Sequence, residues 1–378
     1  MGPLNGVKVI EMKGIGPGPY AGMLLADMGA EVISIERAQK PTGIAYPIQY
    51  DIHSRGKKSI AINLKSPQGV ATALSLIEQS DMLIEGFRPG VMEKLGLGPQ
   101  ECHERNPKLI YGRVTGWGQI GPLAKTAGHD LNYISLTGAL AAIGPGDKPV
   151  PPLNLIGDYA GGSLFLLLGM LAALHVATLT GKGDVVDAAI TDGSASLMGL
   201  LHTAHSLNGW IVQRESNLLD GAAHFYRCYE TADNKYISVG AIEPQFYAVL
   251  IDKAALDPTA FQSQMDAAEW SSKAEKLADV FKQKTRQQWC DIFEGTDACI
   301  SPVLDFTEAP LHPHNAARHT YINIGGVIQP APAPRFSNHI ADQPQMSGTE
   351  GSDTQTVLSA FGFDEAEIRI LKQVGALP

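Results

Sequence analysis

The chain has 378 residues, 44% of them hydrophobic and 18% charged, proportions that rule out a disordered chain and fit a globular enzyme. That length predicts two domains or more. The net charge of -10 comes with no basic stripe, which argues against a nucleic-acid surface but leaves room for a phosphorylated ligand held by a few local Arg and Lys.

Cys102, Cys228, Cys290 and Cys299 contain no Cys-x-x-Cys pair and read as reduced thiols, so a cytoplasmic location is expected. Met1 to Lys13 lacks the charged-then-apolar order of a secretory signal, and Gly-Ala-Leu-Pro at the end is no peroxisomal address.

In chain order, the first ninety residues alternate strands with helices. Val7 to Met12 reads as a strand, Gly14 to Pro19 as a Gly/Pro-rich turn, and Tyr20 to Met28 as a helix stopped by Gly29. Strands follow at Glu31 to Glu36, Ser59 to Leu64, Met82 to Glu85 and Leu109 to Val114. A helix over Ser66 to Gln79 puts Val70, Ala73, Leu74 and Ile77 on one face. Helical runs at Leu131 to Ala142 and Tyr159 to Thr178 precede a Gly181-Lys182-Gly183 turn, a strand at Asp184 to Ala189 and a helical stretch from Thr191 to Gln213. Leu164 to Leu179 is shorter than the roughly 20 apolar residues of a membrane span and holds Gly169, His175 and Thr178, so it is expected as a buried core helix with no membrane partner.

Beyond Leu219, Tyr226 to Glu230 and Tyr236 to Val239 are spaced as a hairpin over Asp233-Asn234. Polar helical stretches occupy Pro244 to Glu294, and a last helix spans Asp364 to Val374. The predicted fold is α/β: a Rossmann-like parallel-sheet large domain (1–200, completed by 335–378) plus a smaller α+β domain (215–325). Residues 201–214 and 326–334 are expected as linkers.

The turn Gly14-Ile15-Gly16-Pro17-Gly18 follows a strand and opens a helix, as a phosphate-binding turn does. Pro19 stands where the dinucleotide fingerprint needs its third Gly, so a tight structural turn fits equally well. Basic residues gather near strand ends: Arg37, the group Arg55, Lys57 and Lys58, and Arg88. Arg37 and Arg88 fall at carboxyl ends of strands, where open parallel sheets bind ligands; a solvated surface is the alternative. His129 opens a helix in Ala-Gly-His-Asp-Leu-Asn-Tyr. Asp158 precedes the most apolar helix, and Glu243 follows a strand in Ala-Ile-Glu-Pro. Each has a plain structural reading, an N-cap for Asp158 above all. His312-Pro-His314 reads as incidental, and no metal site is expected.

Taken together, these stretches resemble the class III CoA-transferase superfamily over nearly the whole chain. Gly14 to Pro19, Glu85-Gly86-Phe87-Arg88-Pro89-Gly90, Leu95 to Pro99 and Thr115-Gly116-Trp117-Gly118-Gln119 carry the superfamily pattern. Gly128-His129-Asp130-Leu131-Asn132-Tyr133, Gly157-Asp158, Gly240 to Phe246 and Ala333 to Ser337 are similar to its α-methylacyl-CoA racemase branch. The resemblance implies an intertwined homodimer, with the active site between the large domain of one chain and the small domain of the other. His129 and Asp158 would there join a Glu243 from the partner. It implies CoA contacts at Arg37, Ile62, Asn63, Leu64, Lys65, Gly86, Phe87, Arg88, Lys94, Gly128, Asp130, Leu131, Asn132, Tyr133 and Gly157. The partner molecule is an acyl-CoA thioester, with CoA part of the substrate and no further cofactor.

Inverting a carbon without oxidation needs one base on each face. His129 and Asp158 are the expected pair, with Glu243 orienting the imidazolium. Asp158 needs a raised pKa, which burial against the apolar helix would supply. Its backbone N–H is expected to meet the thioester oxygen as negative charge develops there, a donor worth about 3–4 kcal/mol. The rival reading is CoA transfer with Asp158 as nucleophile; a non-catalytic CoA-binding subunit is more distant. The apolar runs around Leu155, Ile156 and Leu197 to Leu201 read as core, with an acyl-pocket wall as the alternative.

Overall fold

The computed structural model describes residues 1–37 and 47–378. The described chain divides into two units: residues 1–137, 153–197 and 317–378, and residues 138–152 with 198–316. Each is taken by itself.

In the first unit, β1 (Lys8–Met12), β2 (Glu31–Arg37), β3 (Lys57–Ile62), β4 (Met82–Glu85), β5 (Ile110–Thr115) and β6 (Asp184–Ala189) form one sheet in the order β3-β2-β1-β4-β5-β6. Every pairing is parallel. The middle of most strands is apolar where both faces are covered, while β6 is partly exposed over Asp184–Asp187. Ile10, Ile33, Ile60 and Leu83 point into one core layer and Val9, Val32, Met82 and Ile84 into the other. The strand order reverses between β1 and β4, so the loops after those strands flank the crevice where such sheets take ligands.

The helices of the same stretch are α1 (Pro17–Asp27), α2 (Pro67–Glu78), α3 (Val91–Lys94), α4 (Pro99–Arg105) and α5 (Asp130–Ser135). Helix α1 begins three residues before the predicted start because Pro17 occupies its first position after Gly16, whose φ of 72° makes the turn. The predicted Leu131 to Ala142 helix is broken at Gly138, φ 84°, into α5 and α6 (Ala139–Ala142). A wide π-helix, Leu155–Leu164, runs directly into α7 (Phe165–Thr180), and α8 (Ile190–Leu197) follows β6.

Helix α7 corrects the expectation of a buried core helix. Leu166, Leu167, Met170 and Ala177 are buried in the core layer that β5 and β6 share, but Leu168, Val176 and Leu179 are exposed in the single chain. The continuous run Leu155–Thr180 is long and apolar enough to cross a membrane by length and composition. The supposed core runs are likewise half open, with Leu155, Leu197 and Leu200 exposed.

The second unit holds α9 (Gly199–Ser206), the antiparallel strands β7 (Tyr226–Glu230) and β8 (Tyr236–Gly240), and helices α10 (Pro244–Lys253), α11 (Trp270–Phe281) and α12 (Arg286–Phe293). Strand β9 (Ile300–Val303) completes the sheet and α13 (Pro313–Ala317) follows. The helix predicted to reach Gln213 stops at Ser206, where Asn208 takes a left-handed φ of 58°. Residues 138–152 belong here rather than to the large domain, because Arg214 donates to the carbonyls of Ala141, Pro145 and Gly146 while Glu215 accepts the Gly146 N–H. The predicted linker 201–214 is thus part of the small unit.

The chain then re-enters the first unit. The predicted 326–334 linker contains a strand of a hairpin, β10 (Tyr321–Ile324) and β11 (Val327–Pro330), turning at Gly325-Gly326. Arg55 clasps it through Gln329 Oε1 at 2.9 Å and the Pro330 carbonyl. Helices α14 (Thr354–Ala360) and α15 (Glu365–Gln373) close the apolar face with Leu358 and Ile368, as predicted for the terminal helix.

Of the basic cluster at the start of β3, Arg55 and Lys57 are buried in ion pairs. Arg55 grips Asp27 through two bonds, and Lys57 meets Glu11 at 2.5 Å and the Pro19 carbonyl at 2.8 Å. A side chain at Gly22 would overlap Glu11 Oε2, so α1 lies directly on this pair. Losing one partner of such a pair leaves a charge buried alone. Lys57→Met should therefore lower the unfolding free energy by about 3–5 kcal/mol, read as a shifted urea midpoint, and adding Glu11→Leu should recover most of the loss.

Candidate active site

The site is built at the crevice of the first unit. The glycine-rich turn after β1 reaches Asp158: a Cβ on Gly16 would lie 3.2 Å from Asp158 Oδ2. The turn packs against Asp158, and Gly alone combines this φ with this approach.

Asp158 sits within the π-helix, not at an N-cap. Three glycines let that helix pack tightly. A Cβ on Gly157 would strike the Asp130 carboxylate, one on Gly161 would strike Ser194, and one on Gly162 would press on Pro17. Ser163 Oγ donates to the Pro17 carbonyl at 2.8 Å, and Tyr159 packs at a tilt against Tyr20 of α1 with centroids 4.6 Å apart.

The backbone N–H of Asp158 does not point at a substrate oxygen, which overturns the expected oxyanion role. It donates to Oδ2 of buried Asp130 at 2.6 Å, and a donor so engaged is not free for a developing oxyanion. Asp158's carboxyl is pushed up to about 6, first by burial and then by the Asp130 charge; an Asn154 hydrogen bond and the nearby His129 act the other way. The predicted elevation is present, with a second carboxylate as an added cause.

His129 is exposed at the mouth of α5, close enough for its charge to act on Asp158. Its backbone is held by Asn132, whose Oδ1 accepts the His129 N–H at 3.1 Å. Tyr133 donates its hydroxyl to the Gly128 carbonyl and stands edge-on to Trp117 at 4.9 Å. Side chains at Gly116 or Gly128 would overlap the Tyr133 ring, so the two motifs interlock. Asp130, Asn132 and Tyr133, expected as CoA contacts, thus spend their side chains on the frame around His129 and Asp158. Leu131 is exposed, and Gly157 is buried under Asp130.

The other expected contacts divide. Arg37, Lys65, Arg88 and Lys94 are exposed cations, with Gly86 and half-buried Phe87 beside Arg88. Ile62 lies in a core cluster against which Leu64 packs, and half-buried Asn63 donates to the carbonyls of Ala376 and Gly375 in the C-terminal segment. Glu243 lies in the second unit, exposed at the start of α10, and Gln264 holds the carbonyls of Ala241 and Ile242 just before it. Sequence reasoning missed Glu85. Fully buried, it accepts the Phe87 N–H at 2.7 Å and Arg113 Nε at 2.7 Å, fixing the Gly86–Arg88 loop. A Glu ending an otherwise apolar buried strand was the available signal.

A doubly covered parallel sheet with an imidazole and an elevated carboxyl at its switch point defines an acid–base enzyme of Rossmann-like fold. The chain belongs to CoA-transferase family III, whose model matches residues 4–353. It is 45% identical over 368 residues to the mouse protein named alpha-methylacyl-CoA racemase, covering 97% of this chain and 95% of that one. Its human counterpart is 43% identical over 370 residues, with the same coverage. The acetyl-CoA:oxalate CoA-transferase of Acetobacter aceti is 28% identical, covering 89% of this chain and 90% of its own. Among solved structures, Rv3272 of Mycobacterium tuberculosis superposes with a TM-score of 0.75 at 27% identity, covering 94% of this chain and 98% of its own. A CAIB/BAIF family protein of Brucella suis, at 22% identity and TM-score 0.79, covers 95% and 99% and shares the fold.

With aspartate carboxyls labelled in ¹³C, one resonance should titrate near pH 6, well above an ordinary aspartate, and be missing from Asp158→Asn. A spectrum in which every aspartate titrates below about 5 would contradict the site's electrostatics.

Proposed function

We propose that this protein interconverts the (R) and (S) forms of 2-methylacyl-CoA thioesters by removing the α-proton from one face and returning one to the other. The observation that carries this reading is the placement of His129 beside an Asp158 whose carboxyl is pushed up to about 6. Asp158 then changes protonation near neutral pH beside an imidazole, as a pair that exchanges acid and base roles requires. The 43–45% identity to proteins named for this reaction supports it.

In one direction Asp158 takes the α-proton and protonated His129 supplies the other; in the reverse direction the roles exchange. The enolate's negative charge needs a donor other than the Asp158 amide. Exposed Arg37, Arg88 and Lys94 suit the phosphates of CoA, and no further cofactor takes part in the proton transfers. We further propose that a second copy of the chain supplies Glu243 to orient His129. The exposed apolar residues of α7, Leu168, Val176 and Leu179, suit a face that a partner chain covers. CoA transfer with Asp158 as nucleophile is the second reading, favoured by the identity to named CoA-transferases.

Incubation of each hand of a 2-methylacyl-CoA in deuterium oxide without an acceptor acid should give α-deuteration with inversion. His129→Ala should lower exchange by about a hundredfold or more. For the hand deprotonated by Asp158, the rate should fall as pH drops through about 6, because the base becomes protonated. For the other hand Asp158 must deliver a proton, and the rate should fall as pH rises above that value. No exchange, but CoA transfer once a free acid is added, would replace the racemase with the transferase.

A further inference from the structure

Asp130 has an arrangement that a CoA contact does not explain. It is buried at 7% exposure, although α5 begins at the surface with exposed His129 before it and exposed Leu131 after it. Its Oδ2 accepts the Asp158 amide at 2.6 Å and sits so close to Gly157 that any side chain there would overlap it. Among the described residues its buried Oδ1 has no hydrogen-bond partner, a cost that calls for a compensating role. Two carboxylates are therefore fixed next to each other through one backbone amide.

We propose that Asp130 is a positioning residue for Asp158: its buried carboxylate anchors the first turn of the π-helix through the Asp158 amide and sets a fixed negative charge beside the Asp158 carboxyl. Replacing a substrate-binding role with this one accounts for the buried side chain, the glycine at 157 and the occupied amide together. The surroundings leave few other charges to do it. The entry to α5 brings Asp130 and His129, and α5 itself brings the phenol of Tyr133, which feels Arg88 from the loop after β4. The start of α1 presents Gly16, Pro17 and the phenol of Tyr20 to the π-helix, and α8 presents Gly193 and Ser194, none of them a charged group. Burial also raises Asp130's own carboxyl, while the amides of Asp158 and Gly157 pull it down; its charge in turn helps hold the Asp158 carboxyl toward the protonated side.

The inference rests on the racemase reading only for what Asp158 does, so it is tested by two independent measurements. Asp130→Asn keeps an amide oxygen for the Asp158 N–H and removes the charge; Asp130→Ala removes both. In full-length protein with ¹³C-labelled aspartate, the resonance assigned to Asp158 by comparison with Asp158→Asn should move its midpoint down by about one pH unit or more in Asp130→Asn. In the deuterium-exchange assay, Asp130→Asn should stay within about tenfold of wild type at pH 7, with its acid limb displaced to lower pH by the same amount. Asp130→Ala should lose about a hundredfold in kcat with KM for the thioester within about threefold, as misplacement of a reacting group does. An Asp158 midpoint unmoved in Asp130→Asn overturns the proposal, as does a raised KM with unchanged kcat and pH profile, the signature of a CoA contact. If wild type exchanges no α-proton yet the Asp158 midpoint still moves, the positioning role stands and the racemase reading falls.

Discussion

The geometry of this site depends on one close approach, that of the π-helix Leu155–Leu164 to α8. A Cβ on Gly193 would lie 1.9 Å from the Gly161 carbonyl oxygen, and one on Gly161 would lie 2.3 Å from Ser194 Oγ. No side chain fits between the two backbones, so they meet directly. The wider π turn is an irregularity frequently found at functional sites in helices. Here it follows from packing: glycines at 157, 161 and 162 let the helix sit against Asp130, α8 and the start of α1 simultaneously. Asp158, between two of these glycines, is positioned by their packing together with its own amide bond to Asp130.

Charge burial is the second organising device. The sheet interior is apolar, yet Glu11, Asp27 and Glu85 are all buried, and each is met by a cation: Lys57, Arg55 and Arg113. Such pairs add little net stability compared with apolar packing, because desolvation offsets their attraction. Their geometry points to another use. Glu85 fixes the loop carrying Arg88, the Lys57 ammonium takes the Pro19 carbonyl in the glycine-rich turn, and Arg55 clasps the hairpin that returns to this unit. Loops around the crevice are thereby tied to the rigid strands.

His129 and Asp158 inherit their properties from this frame. A half-buried carboxyl with another carboxyl beside it resists ionisation, which brings an aspartate into the range where histidine titrates. Trp117, Tyr133, Gly116 and Gly128 lock His129's loop by shape, and Asn132 holds its backbone. The side chains that look like ligand contacts in the motif are largely its scaffolding.

Strand positions, the α/β class and the Gly-x-Gly turn were legible in the sequence because period, apolar runs and Pro/Gly punctuation are local signals. His129 and Asp158 were singled out through motif resemblance, and the fold brings them near each other. Local signals could not show that Asp158's amide is taken by Asp130, that Arg55 and Lys57 are buried in ion pairs, or that residues 138–152 fold with Arg214. Those outcomes depend on groups separated by 28, 28, 46 and about 70 positions along the chain. Period and propensity describe what one segment prefers. Which acceptor a given N–H finds, and which charge loses its water, is decided only when distant segments share one space.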